Sequence, residues 1–175
     1  MKKNTLRSEL ASAKSLGFKG TALNSKARNP YLNLTNGNTL LWIAGSYIAI
    51  VPTKRHFERD LYLRCWKSSN GNSPCATLTT TETDYLGNKH TMSYYRELMK
   101  DSIKQVAKDF EIPEKDVFID HKNHKRGDCR ISNLRIADAA QNNKNRSTAE
   151  SISAFYTLDD YEEKRASGEW VPLVD

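Results

Sequence analysis

Leu6, Leu10, Ala13 and Leu16 recur at helical spacing and Gly17 follows them, so the pattern predicts a short helix over 4–16. Residues 17–38 lose that period. They are rich in Gly, Asn, Ser and Lys, carry Pro30, and read as an irregular arm. From Leu40 to Val51, β-branched, aromatic and other apolar residues gather around Gly45 and Ser46, which predicts one strand or two short ones, ended by Pro52. Segments 60–66 and 75–83 alternate in part, with Asn70-Gly71-Asn72 between them, a hairpin signal with a longer loop. Asp84, Gly87 and Asn88 mark a further turn. Ser93 is placed to cap a helix reaching about Phe110, with Tyr94, Leu98, Ile103, Val106 and Phe110 as its apolar stripe, and Pro113 closes the segment.

The pattern changes at Asp116. Val117-Phe118-Ile119 is a short apolar strand, Lys122 to Arg130 a polar loop, and Ile131 to Ile136 a second short strand. Asp138 then stands as N-cap of a helix Ala139–Arg146, with Gln141 at its third position. Asn142, Asn145 and Arg146 share one face of that helix. Strand, loop, strand and helix, behind an antiparallel hairpin and a helix, predict an α+β fold.

Composition adds two constraints. The hydrophobic fraction is 38%, low for a 175-residue chain with one large core, so part of the chain is expected to be extended or ordered only against a partner. The net charge is +6, and it is unevenly spread. Residues 1–29 carry seven Lys/Arg and one acid, residues 30–119 eleven and ten, residues 120–149 seven and three, and residues 150–175 two and seven. Two basic segments therefore bracket a near-neutral middle, and a polyanionic partner is expected. The chain divides into a basic N-terminal arm (1–38), a hairpin and helix region (39–115), a compact motif (116–146) and an acidic C-terminal tail (147–175). Cys65, Cys75 and Cys129 form no CxxC pair, which speaks against a disulfide framework and a structural zinc site and suits a reducing cytoplasm. No run approaches the length of a membrane span, and the N-terminus lacks the apolar stretch of a signal peptide. His56 and His90 read as structural, Trp42 and Trp66 as core or sheet-packing residues.

The residues that carry chemistry are Asp120-His121-Lys122-Asn123, then Asp128-Cys129-Arg130-Ile131-Ser132-Asn133-Leu134-Arg135, then Gln141-Asn142-Asn143-Lys144-Asn145-Arg146. His121 and Asn133 are twelve residues apart, Asn133 and Asn142 nine. This ordered set resembles the HNH motif of the ββα-metal (His-Me finger) nucleases, in the branch found in phage and homing endonucleases. That branch reads D-H-x-[ND], D-N-R-x-x-N-L-R and N-x-x-N-R. The resemblance covers 117–146, about a sixth of the chain.

It implies a ββα-metal motif over 116–146 and a metal-dependent DNA endonuclease. His121 would be the general base that activates water, Asp120 and Asn142 the ligands of one Mg²⁺ or Mn²⁺, and Asn133 the residue that bonds across the loop and orients the base. Arg130, Arg135, Lys144 and Arg146 would contact phosphates, and Asn145 would do the same or brace the helix. The residue types suit the chemistry. An imidazole has an unperturbed pKa of about 6.5 and can take a proton near neutral pH. A carboxylate and a carboxamide are hard oxygen donors that leave positions open for phosphate and water. Neighbouring strand residues point to opposite faces, so Asp120 and His121 can converge only where the strand ends or bends.

Three departures from the family pattern stand out. Cys129 occupies a place where Asn is usual, so a bracing hydrogen bond is expected to be lost. His124 occupies a place where Gly is usual, so the turn is expected to change shape. No recognition module follows the motif, which leaves recognition to residues 1–115 or to an oligomer. One site cuts one strand, and a double-strand cut would need a homodimer or two successive nicks. The products implied are 5′-phosphate and 3′-hydroxyl ends. A bacterial host cytoplasm and a phage-encoded gene fit the resemblance. Three other readings compete: a catalytically inactive DNA-binding protein on the same scaffold, an RNA-directed nuclease, and an interaction protein whose basic arm binds an acidic partner.

Overall fold

The computed structural model describes residues 2–20, 29–43, 47–54, 64–65, 78–148 and 154–174. The expectations for Gly45, Ser46, His56, Trp66, Asn70 to Asn72 and Cys75 lie outside the described residues. The first helix, α1 (Lys2–Ser15), ends at Gly17 as its pattern predicts. Gly17 takes φ 89 and donates its N–H to Lys14, while the Phe18 N–H reaches the Ala13 carbonyl. That paired closure needs a left-handed residue, which glycine supplies without steric cost.

Strands β1 (Tyr31–Asn33), β2 (Asn38–Ile43) and β3 (Tyr47–Pro52) form an antiparallel sheet in that order. The apolar run 40–51 is thus two strands. Part of the expected arm is a strand as well, since Leu32 pairs with Leu40. The unbroken hydrophobicity of the run follows from burial on both faces. Leu32, Leu40, Trp42, Ile48 and Ile50 point into one core with Phe18, Tyr161 and Trp170. Leu41, Ile43, Ala49 and Val51 point into another with Leu78, Tyr94, Cys129 and Phe155. Two full faces on one sheet let a chain of modest hydrophobic content build a core on each side.

A second antiparallel sheet holds β4 (Arg64–Cys65), β5 (Leu78–Thr83) and β6 (Lys89–Ser93). The predicted turn joins β5 to β6: Asp84 Oδ1 accepts the N–H groups of Leu86 and Asn88 at 2.9 and 2.8 Å. β6 has no apolar alternation to announce it. The predicted helix is split into α2 (Tyr94–Leu98) and α3 (Lys100–Asp109) at Met99. Tyr94 and Ile103 are buried as the stripe requires, but Phe110 is 72% exposed. The helix has already ended there, and Glu111, at φ 53, turns the chain so that the Ile112 N–H meets the Ala107 carbonyl.

After a 3₁₀ turn at Glu114–Asp116 come β7 (Phe118–His121) and β8 (Leu134–Ala137), an antiparallel pair. The second strand is shorter than predicted: Ile131–Asn133 is a 3₁₀ turn, because the Asn133 N–H closes onto the Arg130 carbonyl and its side chain turns inward. Asp138 caps α4 (Ala139–Thr148) as predicted, its Oδ1 accepting the Gln141 N–H at 2.7 Å.

The acidic tail is helical in part and packs on the core, one of the two placements open to a helix around Leu158–Arg165. Its helix α5 (Leu158–Ala166) begins with a capping box between Thr157 and Asp160, and its acids Asp159, Glu162 and Glu163 face solvent. Phe155, Tyr156, Tyr161 and Trp170, however, are buried against the first sheet. Tyr156 bridges to Ile48 and Pro172 to Leu34. The segment is a structural part of the core with a charged outer face. Among the described residues no helix is long and apolar enough to cross a membrane.

Candidate active site

Asp120 and His121 close β7, and the chain turns directly after them. The strand is anchored from below by Ile119, which packs with Ile103, Ala107, Val117 and Leu134. α4 lies against β7 and carries Asn142, half-buried in its first turn. The register of the pair sets Asp120 opposite Arg135 and His121 opposite Leu134. Asp120 is buried, and its Oδ2 accepts from the Arg135 Nε at 2.8 Å.

His121 is buried as well, its ring meeting Tyr95 of α2 edge-on at 5.1 Å. Its Nε2 is shielded from solvent and has no hydrogen-bond partner. Leaving a buried polar atom unsatisfied costs about 1–3 kcal/mol. Burial pushes the imidazole pKa down to about 4; Asp128 and Asp120 pull it upward, and Arg126 adds to the depression. The ring is therefore neutral at pH 7, the form that can accept a proton.

The loop after His121 is held by a closed set of hydrogen bonds. The Lys122 N–H reaches the Asn133 carbonyl, and the His124 N–H reaches the His121 carbonyl, both at 2.9 Å. Asn133 and Asn123 bond reciprocally: the Asn123 N–H donates to Asn133 Oδ1 at 3.1 Å, and Asn133 Nδ2 donates to Asn123 Oδ1 at 3.0 Å. Asn133 Nδ2 also reaches the Asp128 carbonyl at 2.9 Å. Asn133 thus spans the loop.

Asp128 is the centre of this set and is fully buried. Its carboxylate accepts from Arg130 Nε at 2.8 Å, Arg130 Nη2 at 2.6 Å, Asn123 Nδ2 at 2.7 Å and the Tyr156 hydroxyl at 2.7 Å. Burial acts to raise its pKa, but the Arg130 and Tyr156 hydrogen bonds and the Arg130 charge hold it below the usual carboxylate range. The loop is also attached to β3. The Ile50 N–H donates to the Gly127 carbonyl and the Cys129 N–H to the Ile50 carbonyl, both at 2.9 Å. Gly127 lies so close to the Phe155 ring that a β-carbon has no room.

The expected phosphate contacts divide. Arg130 turns inward onto Asp128, with a second acid, Glu169, at 3.7 Å. Arg135 is half exposed and bound to Asp120. Lys144 is exposed on α4, and the side chains of Asn145 and Arg146 lie outside the described residues. His124 takes φ 63, the conformation glycine adopts freely, so the turn keeps a glycine-like backbone despite the substitution. Cys129 is buried, and burial raises its thiol pKa far above the ordinary value, which makes it an inert packing residue. Loop bracing runs through Asp128 instead.

Sequence reasoning missed Tyr95 and Tyr156. Tyr95 sits one position off the helical stripe. Tyr156 falls in the segment read as a tail, where the aromatic set Phe155, Tyr156, Tyr161 and Trp170 was the available signal. Among the described residues no three His, Cys, Asp or Glu side chains cluster to hold a metal.

A buried imidazole with an unpartnered nitrogen thus lies next to a buried carboxylate at the end of β7 and at the start of a braced loop, in an α+β protein. Residues 111–144 match the family model described as HNH endonuclease. The match points to nuclease activity and spans about a fifth of the chain. No curated protein and no solved structure matches the chain.

Proposed function

We propose that this protein is a metal-dependent DNA endonuclease with a ββα-metal site over 116–146. The observation that carries the reading is the buried, unpartnered Nε2 of His121 inside the segment that matches the HNH family. In this mechanism the His121 imidazole accepts a proton from the attacking water. Asn133 holds the loop so that the imidazole keeps its aim. Tyr95 backs the ring edge-on. Asp120 and Asn142 are hard oxygen donors on β7 and on the helix packed against it, a set that suits Mg²⁺ or Mn²⁺ and leaves coordination positions open. One ion held there would supply Lewis-acid stabilisation of charge on the scissile phosphate and the leaving oxygen. Arg135, Lys144, Asn145 and Arg146 contact phosphates, and Arg130 serves chiefly by holding Asp128.

The test is cleavage of supercoiled plasmid in Mg²⁺, Mn²⁺ or EDTA, comparing wild type with His121→Ala. The expected result is metal-dependent nicking by wild type and a loss of about 10²–10⁴-fold in the variant. Equal inertness of both, with DNA binding intact, would make this a binding protein. Preferential cleavage of RNA at fixed salt would change the substrate class. Nicked circles appearing before linear DNA would point to single sites acting in succession, and direct conversion to linear DNA to a homodimer.

A further inference from the structure

We propose that Tyr156, twelve residues beyond the end of the HNH match, is a positioning residue of the catalytic loop, acting through Asp128 and Asn123 on the turn that presents His121. The proposal deepens the nuclease reading and rests on it for the word catalytic.

Both ends of the relay are attached to one strand. The Tyr156 N–H donates to the Ile48 carbonyl at 3.0 Å and the Ile48 N–H returns to the Tyr156 carbonyl at 2.9 Å. Two residues along β3, Ile50 holds the loop through Gly127 and Cys129. The Tyr156 ring is packed edge-on against Trp170 at 5.0 Å, so its hydroxyl has little freedom to move. That hydroxyl donates to Asp128 Oδ2 at 2.7 Å and accepts from Asn123 Nδ2 at 3.2 Å.

Apolar packing alone would need only a phenyl ring at this position. The hydroxyl completes the ring of donors around a buried carboxylate and orients the Asn123 amide. With the amide fixed, Asn123 Oδ1 can accept both the Lys125 N–H and Asn133 Nδ2, each at 3.0 Å. Asn123 stands two residues after His121, within the turn closed by the His124 N–H on the His121 carbonyl. Without the hydroxyl Asp128 loses one of its donors, Asn123 Nδ2 is held by Asp128 alone, and the loop keeps only the Ile50 backbone bonds as its reference to β3. Displacements of about 1 Å at a reacting group are enough to cost on the order of a hundredfold in rate.

Tyr156→Phe is the direct test, with Tyr161→Phe as control. Tyr161 belongs to the same segment and the same core, but its hydroxyl reaches the Leu16 carbonyl, away from the loop. The expected result for Tyr156→Phe is a fall in nicking kcat of about tenfold or more with KM for DNA within about twofold, together with shifted NMR signals of the His121 ring and of the Asn123 and Asn133 side-chain amides. Tyr161→Phe is expected to keep kcat and those signals. Unchanged kcat and unchanged signals in Tyr156→Phe would overturn the proposal. So would losses in both variants that merely track their losses of thermal stability. If wild type cuts no DNA, the nuclease reading fails by itself, and the NMR comparison still decides whether Tyr156 sets the loop.

Discussion

Asp120 and Arg135 are register partners across β7 and β8, and Nε and Nη2 of the guanidinium both lie on one carboxylate oxygen, Oδ2, at 2.8 and 2.7 Å. A cation held by Asp120 would share that carboxylate with a fixed positive charge. Arg135→Gln is therefore expected to lower the Mn²⁺ concentration for half-maximal nicking several-fold. Its cost to stability should be small, about 0.5–1 kcal/mol, because Arg135 is half exposed and the charge pair is screened. Metal titration of plasmid nicking and denaturant unfolding measure the two effects. An unchanged metal requirement would remove Asp120 from the ligand set.

The turn between β5 and β6 gives a pH prediction. Hydrogen bonds from His90 and Asn88 hold the Asp84 carboxyl down at about 2, with a further N–H from Leu86. A depressed acid stabilises the fold while it is ionised and the unfolded form would also be ionised. Its contribution is full above about pH 4 and is lost as pH falls towards 2. Asp84→Asn should be less stable than wild type at pH 7, with the gap narrowing from pH 4 downward. Denaturant midpoints at pH 7, 4 and 3 test this, and a gap that widened in acid would contradict it.

Glu111 ends α3 in the left-handed region at φ 53, where only glycine is unstrained. Its N–H and that of Ile112 form the paired closure onto Lys108 and Ala107. Glu111→Gly is expected to stabilise the protein by about 0.5–1 kcal/mol, read as a rise in Tm. The side chain is exposed, so no packing is lost in exchange.

Gly127 is required for a different reason, the nearness of Phe155. Gly127→Ala should destabilise by about 1–3 kcal/mol through overpacking. Adding Phe155→Leu should give a double variant less damaged than the sum of the two single changes. Strict additivity in equilibrium unfolding would show that the two positions do not meet.

Local signals made much of this protein legible from its sequence. The helix before Gly17, the strands around 40–51, the Asp84 turn and the Asp138 cap each depend on residues a few positions apart. The motif from Asp120 to Asn142 was readable because its spacing is itself the signal, and the family match falls over the same stretch. What escaped depends on distant partners. β6 is polar and forms because a tight turn folds it onto β5. Phe110 continues a helical period past the point where Glu111 diverts the backbone. The segment after 154 looks acidic because its charges cover aromatic residues whose partners lie more than a hundred residues earlier, as Tyr161 does against Leu16. Arg130 looked like a free cation until Asp128, two residues before it, proved to be buried.

The placement of Tyr156 and Glu169 also bears on the order in which the protein matures. A ribosome that has finished the HNH match at residue 144 has not yet made Tyr156, which donates to Asp128, or Glu169, which flanks Arg130. A nascent chain at that stage carries the motif with its buried carboxylate short of one donor and β3 without its partner at Ile48. Completion of the braced loop is thereby deferred until translation has moved well past the matched segment.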